Sequence, residues 1–335
     1  MKELIKGLSV VMIAKNASRY LEESLCSLSG VADEIVFIDT GSTDSSVEIA
    51  KKHACRIFAF DWCDDFSMAK NFGVEQARCR WIMNIDADEV LDGNGAKAIL
   101  GEAIRNSSVP AYIIYQDNLC DSGEVKPNML LRLFQNDPRI RYTNPVHECI
   151  SEMLLLHWPG FSPPILDVHL KHYGYLSLNI HGKHKRNLAL LQRWVNADPD
   201  NIFGNYKLGC ALFDVGRKGE SLICLEKAYE LFAVSKDRYT APFLPVFAVI
   251  YHYVLVSAGL PEKAEKFAQI ACVWIKALYE SCQQRQNINP FLLFHWTRLK
   301  LLNCGLDGEF HRFMNLCMTG IKPSAGSKKG LMQAP

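Results

Sequence analysis

Continuous apolar runs alternate with amphipathic stretches through the first quarter of the chain. The runs LSVVMIAK (from Leu8), EIVFIDT (from Glu34), RIFAF (from Arg56) and RWIMNIDA (from Arg80) are short and rich in β-branched and aromatic residues. They read as strands covered on both faces. Between them ASRYLEESLCSLSG, DSSVEIAKKHA and SMAKNFGVEQAR carry apolar positions at helical spacing. Strand and helix in strict alternation predict a mostly parallel sheet with helices on both sides. From Ala111 to Tyr175 the runs AYIIYQD, MLLRLFQND, IRYTNPVHECI and ILDVHLKHYGY predict short strands and loops, a partly antiparallel continuation of the same domain.

Beyond Leu176 the spacing is helical. Pro199, Tyr206, Leu208, Gly209, Gly216 and Ala228 stand where a tetratricopeptide unit has its small and aromatic packing residues, and the stretches Phe247 to Trp274 and Leu293 to Cys317 resemble degenerate copies. The expected organisation is an α/β domain over 1–178, an all-α helical-repeat domain over 179–320 and a disordered tail over 321–335.

Composition narrows the functional classes. Lys and Arg number 37 against 36 Asp and Glu, a net charge of +1, so no overall field attracts nucleic acid. The basic cluster from His181 to Asn187 (HGKHKRN) reads as a solvated helix face. Twelve cysteines, none in a C-x-x-C pair, are scattered along apolar runs and suggest reduced thiols in a cytoplasmic protein. The apolar run at the N-terminus is short and lacks a cleavage site, so it reads as a strand rather than a signal peptide, and no run of about 18 apolar residues is present.

Chemistry concentrates at strand ends. Ligands of parallel sheets sit beyond the carboxyl ends of the strands, where Asp39 and Asp86 close the second strand and RWIMNIDA. Asp86 and Asp88 form a D-x-D that could hold Mg²⁺ or Mn²⁺ between two carboxylates if the chain stays extended there. Taken together, MIAKN, DEIVFIDTGSTDSSVEIAK, FDWCDDFSMAKNFGVEQA, WIMNIDADEVL, LRLFQN, IRYTNPVHE and HYGY make the first 175 residues resemble a family 2 glycosyltransferase of the type A fold, in a subgroup that adds helical repeats and includes lipopolysaccharide-core and peptide sugar transferases.

The resemblance implies an inverting, metal-dependent transfer from a UDP-sugar, UDP-glucose among the donors, to a glycan, lipid-linked or peptide acceptor. It places Asn16 and Asp39 at the uridine, Asp65, Lys70 and Asn71 along the nucleotide and sugar, and Asp86 and Asp88 at the ribose and metal-bound diphosphate. His172 would complete the metal shell, with His169, expected on the same strand face, competing for that role. The base would be Glu148, with His147 and Asp117 as alternatives. Where the family often has Arg, this chain has Lys70, which keeps the charge and loses bidentate phosphate geometry. A homodimer and peripheral association with the inner face of the cytoplasmic membrane are compatible expectations. Two other readings are a nucleotidyltransferase, disfavoured because AKNASRYL has no phosphate-loop glycines, and a helical scaffold carrying an inactive lobe.

Overall fold

The computed structural model describes residues 4–93, 95–105, 108–159, 161–235 and 241–285, together with 297. The four N-terminal apolar runs form β1 (Ile5–Ala14), β2 (Glu34–Asp39), β3 (Arg56–Ala59) and β4 (Cys79–Asn84), connected through α1 (Ser18–Ser27), α2 (Ser46–Lys52) and α3 (Phe66–Gln76). The later strands are β5 (Glu89–Leu91), β6 (Ala111–Leu119), β7 (Val125–Gln135) and β8 (Ile165–His172), with α4 (Ala96–Ala103) and α5 (Ser151–His157) inserted between them. They build one sheet in the order β3-β2-β1-β4-β7-β6-β8-β5. Its first four strands are parallel, whereas β7 runs antiparallel to β4 and β6, and β5 antiparallel to β8.

Consecutive β1 residues explain why the first run is apolar without alternation. Val10 and Met12 enter the core under α1 and α4, while Val11 enters the opposite core under α3, and all three are fully buried. Helix α3 starts where the Asp65 carboxylate accepts from the Met68 N–H at 2.9 Å, satisfying one of the open amides of its first turn.

Several expectations need correction. IRYTNPVHECI is not a strand: Pro145 has no N–H to donate to a ladder, Asn144 and His147 take positive φ (71° and 58°), and a Thr143–Cys149 bridge pinches the segment into a loop. Helices α4 and α5 and the three-residue strand β5 were not anticipated, because each is too short for its period to stand out. Cys272 is disulfide-bonded, so the expectation of reduced thiols throughout fails there, while eight other cysteines among the described residues are free.

After a 3-10 turn at Tyr173–Tyr175 the chain is helical: α6 (Ser177–Ala197), α7 (Ile202–Asp214), α8 (Lys218–Val234), α9 (Leu244–Ser257) and α10 (Pro261–Arg285). The pairs α7/α8 and α9/α10 share a core of Tyr206, Leu225, Phe232, Phe247, Tyr251 and Phe267. The third expected repeat and the tail lie outside the described residues, apart from Thr297. No helix among the described residues is long and apolar enough to cross a membrane.

Gly209 is what lets α7 and α8 approach. A Cβ there would lie 2.6 Å from Leu225 Cγ and 3.2 Å from the Ser221 carbonyl oxygen. Since the backbone oxygen cannot move aside cheaply, Gly209→Val is expected to destabilise the protein by about 1–3 kcal/mol, read as a lowered midpoint in thermal melting. An unchanged midpoint would contradict this account of the helix pair. A separate apolar cluster, Val146, Leu190, Leu191, Leu208 and Leu212 with Trp62, Phe66 and Trp194 at its margin, ties α6 and α7 to the loop that carries His147 and Glu148.

Candidate active site

The carboxyl ends of β1 and β4, the 143–149 loop and the first turns of α6 enclose a cleft of about 1460 Å³. Its floor is polar because the strands beneath it end in charges. Past Asn84 the chain does not remain extended: the Glu89 N–H donates to the Asp86 carbonyl at 2.9 Å, and the Glu89 carboxylate accepts from the Asp86 N–H at 2.8 Å. This turn sends the D-x-D carboxylates apart. Asp86 goes to Arg132 (2.7 Å) and Lys70 (3.6 Å), while Asp88 goes to Lys183 (2.7 Å) and His172 Nε2 (3.6 Å). The two carboxylates thus take different protein partners instead of leaving the strand side by side.

Arg132, on β7, is the centre of the buried network. One terminal nitrogen donates to Asn84 Oδ1 at 2.7 Å, and the other to Asp86 at 2.7 Å and Glu89 at 3.0 Å. Burial pushes the Asp86 carboxyl upward, but the charges of Arg132 and Lys70 outweigh it and hold the group well below the usual carboxylate range. At Glu89 burial dominates and raises the carboxyl, against the pull of Arg132. All the hydrogen bonds described for the Glu89 side chain, including one from Gln116 Nε2, are bonds it accepts, which suits the carboxylate. For Asp88 burial is outweighed by the hydrogen bond and charge of His172 and by Lys183, which bring it down to about 2.

Lys70 lies on α3 and is buried, with its Nζ 2.7 Å from Glu148 Oε1 and over the Tyr142 ring at 5.3 Å. Burial disfavours its charge, yet Asp86 and Glu148 more than restore it, so its pKa is raised. His172 is fixed from behind. Asn118 Nδ2 donates to the Lys126 carbonyl at 2.9 Å, which assigns its Oδ1 as the acceptor for His172 Nδ1 at 2.7 Å and leaves Nε2 facing Asp88. The buried Tyr142 hydroxyl and Arg132 Nε have no hydrogen-bond partner among the described residues, and both side chains line the cleft. They are donors available to a ligand.

Of the residues expected from sequence, Asn16, Lys70, Asp86, Asp88, His147, Glu148 and His172 line this one cleft. Asp39, Asp65, Asn71 and Asp117 do not. Asp39 accepts from the Ser42 N–H at 3.0 Å, closing the DTGSTD turn, and Asp65 caps α3. Asn71 holds the Tyr142 backbone by both its N–H and carbonyl, at 2.8 and 2.9 Å. Asp117 projects from the other side of β6, outside the cleft lining, and pairs with His169 at 2.8 Å. His169 is three residues from His172, so along an extended strand the two point to opposite faces, contrary to expectation.

The residues missed were Arg132, Glu89, Gln116, Tyr142, Lys183 and Arg186. An arginine inside the apolar run MLLRLFQ was the available signal for the first. The HGKHKRN cluster was read as a solvated face, whereas Lys183 and Arg186 from it line the cleft. A different donor set, Glu22, Cys26 and His53, has ligating atoms within 4.8 Å of one another, and none of its residues lines the cleft.

Residues 9–157 match the glycosyl transferase family 2 model. A TPR repeat-containing protein of Synechococcus elongatus is 29% identical over 218 residues, spanning 62% of this chain and 53% of the relative. The SPbeta prophage-derived glycosyltransferase SunS of Bacillus subtilis is 25% identical over 238 residues, 68% of this chain and 54% of the relative. The chain thus spans about half the length of these curated relatives. Among solved structures, residues 1–349 of S. aureus TarS give a TM-score of 0.40 at 12% identity, covering 90% of this chain and 92% of the other.

Proposed function

Since the chain carries a glycosyl transferase family 2 domain over residues 9–157, we propose that it transfers a sugar, with inversion, from a UDP-sugar to a glycan, lipopolysaccharide-core or peptide acceptor. The observation that carries this reading is the Glu148–Lys70–Asp86–Arg132 chain of charges on the floor of a cleft, beside the separate Asp88–His172 pair.

Asp88 and His172, whose Oδ2 and Nε2 lie 3.6 Å apart, are the residues that would hold a divalent ion. Their chemistry suits Mn²⁺ or Mg²⁺, whereas Asp86 is already neutralised by Arg132 and Lys70. Bound there, the ion would neutralise charge developing on the diphosphate leaving group. Asn16 is held at the rim, its Oδ1 accepting from the Thr43 N–H at 2.7 Å, where it can meet the nucleoside. Glu148 is the base: its carboxylate takes the proton of the acceptor as that group attacks the anomeric carbon. Lys70 orients this carboxylate from within the protein, and Tyr142 offers its hydroxyl to the donor.

Thermal-shift titration with UDP and UDP-sugars, UDP-glucose first, with and without Mn²⁺ tests the reading. A ligand at about 100 times its Kd adds about 2.7 kcal/mol of stability, a clear rise in melting temperature. Asp88→Asn is expected to lose the part of that rise that depends on Mn²⁺. Absence of any shift in the unaltered protein would favour a non-catalytic helical scaffold.

A further inference from the structure

We propose that the helical region supplies a movable cation to the donor site: Lys183 holds the ion-binding carboxylate Asp88 until metal and nucleotide arrive together, and then transfers to the diphosphate beside Arg186. This rests on the donor-site reading above and adds to it a residue from outside the family 2 domain.

Three atoms locate the place. Lys183 Nζ lies 2.7 Å from Asp88 Oδ2, and His172 Nε2 lies 3.6 Å from the same oxygen. A Cβ built on Gly174 would come within 2.3 Å of both Lys183 Nζ and His172 Nε2, so the ammonium and the imidazole nitrogen converge on one small space that only a glycine leaves clear. Lys183 Nζ and His172 Nε2 approach the same Asp88 oxygen, so a divalent ion held by Asp88 and His172 would meet the ammonium at close range, and like charges repel strongly in a partly buried site. Asp88 therefore holds either Lys183 or the ion.

Charge balance indicates when the exchange occurs. Cations outnumber carboxylates along the cleft, where Lys15, Arg19 and Lys207 stand with Lys70, Arg132, Lys183 and Arg186 against Asp86, Asp88, Glu148 and Glu152. A dication alone adds to that excess, whereas one arriving with a diphosphate brings its own counter-charge. Lys183, displaced from Asp88, then has the phosphate oxygens as its nearest anions.

Arg186 is placed to share them. It follows Lys183 by three residues on α6 and so sits on the same face one turn along. Its guanidinium lies 4.9 Å over the Phe66 ring, it donates to Asn187 Oδ1, and no ion pair joins it to a carboxylate among the described residues. It faces Asp88, Glu148 and Asp86 at longer range.

The test uses the full chain, with Lys183→Met and Lys183→Arg, and isothermal titration by Mn²⁺ alone, by UDP alone and by UDP with saturating Mn²⁺. The expected signature is a pair of opposite changes. Lys183→Met binds Mn²⁺ alone about tenfold more tightly, as one released charge pair implies, and binds UDP with Mn²⁺ about tenfold more weakly. Lys183→Arg returns much of the UDP affinity. A merely structural lysine would move both affinities in the same direction, and that result, or no change in either, overturns the proposal while UDP binding by the unaltered protein leaves the donor-site reading intact. Failure of the unaltered protein to bind UDP at all would overturn both.

Discussion

Arg132→Met is expected to lower stability by about 3–5 kcal/mol, the usual cost of removing one partner from a buried ion network, with the loss read from the midpoint of urea unfolding at constant m-value. The size follows from what would remain. Asp86 would keep only the more distant Lys70, and Glu89, fully buried, would keep Gln116 and a backbone N–H but no cation within hydrogen-bond distance. Methionine fills the volume but supplies no donor to either carboxylate. A double variant, Arg132→Met with Glu89→Gln, should recover part of the loss because one of the two stranded charges is gone. If Arg132→Met unfolds within about 1 kcal/mol of the unaltered protein, the network does not carry the weight assigned to it here.

The same network shows why the site was only half legible in the sequence. The parallel half of the sheet follows from apolar runs whose alternate residues enter different cores, as Val10 and Val11 do. The D-x-D was visible as acids at a strand end, and Glu148 through the family resemblance of IRYTNPVHE. What periodicity could not supply was the turn between Asp86 and Glu89, which depends on a backbone hydrogen bond and sends the two aspartates to different partners. Nor could it supply Arg132, 46 positions from Asp86 and brought near only because β7 runs antiparallel beside β4. Asp39, Asp65 and Asn71, expected as ligand contacts, are placed outside the cleft lining with turn, cap and backbone hydrogen bonds. Those bonds demand the same residue types as ligand contacts, so composition alone does not separate them. Lys183 and Arg186 were obscured for the opposite reason: a basic helix face is ordinary in solvent, and only the packing of Leu190 and Leu191 against Val146 turns that face into the wall of a cleft.

Glu148→Gln is expected to reduce sugar transfer by about 10²–10⁴-fold, the range for loss of a positioned general base, while the affinity for UDP with Mn²⁺ stays within about twofold. The separation is expected because Glu148 pairs with Lys70, whereas Asp88 pairs with Lys183 and His172. Until an acceptor is identified, release of UDP from UDP-glucose by transfer to water reads the same step, since water too must lose a proton as it attacks. The substitution leaves the buried Lys70 ammonium with Asp86 at 3.6 Å, so some loss of stability accompanies it and the comparison belongs well below the melting midpoint. His147 provides the contrast. It is exposed, at the tip of the same loop with φ 58°, and His147→Ala should change the rate by less than about tenfold if Glu148 is the base. A larger loss in His147→Ala than in Glu148→Gln would move the proton transfer to the imidazole and leave Glu148 as the counter-ion that keeps Lys70 in place.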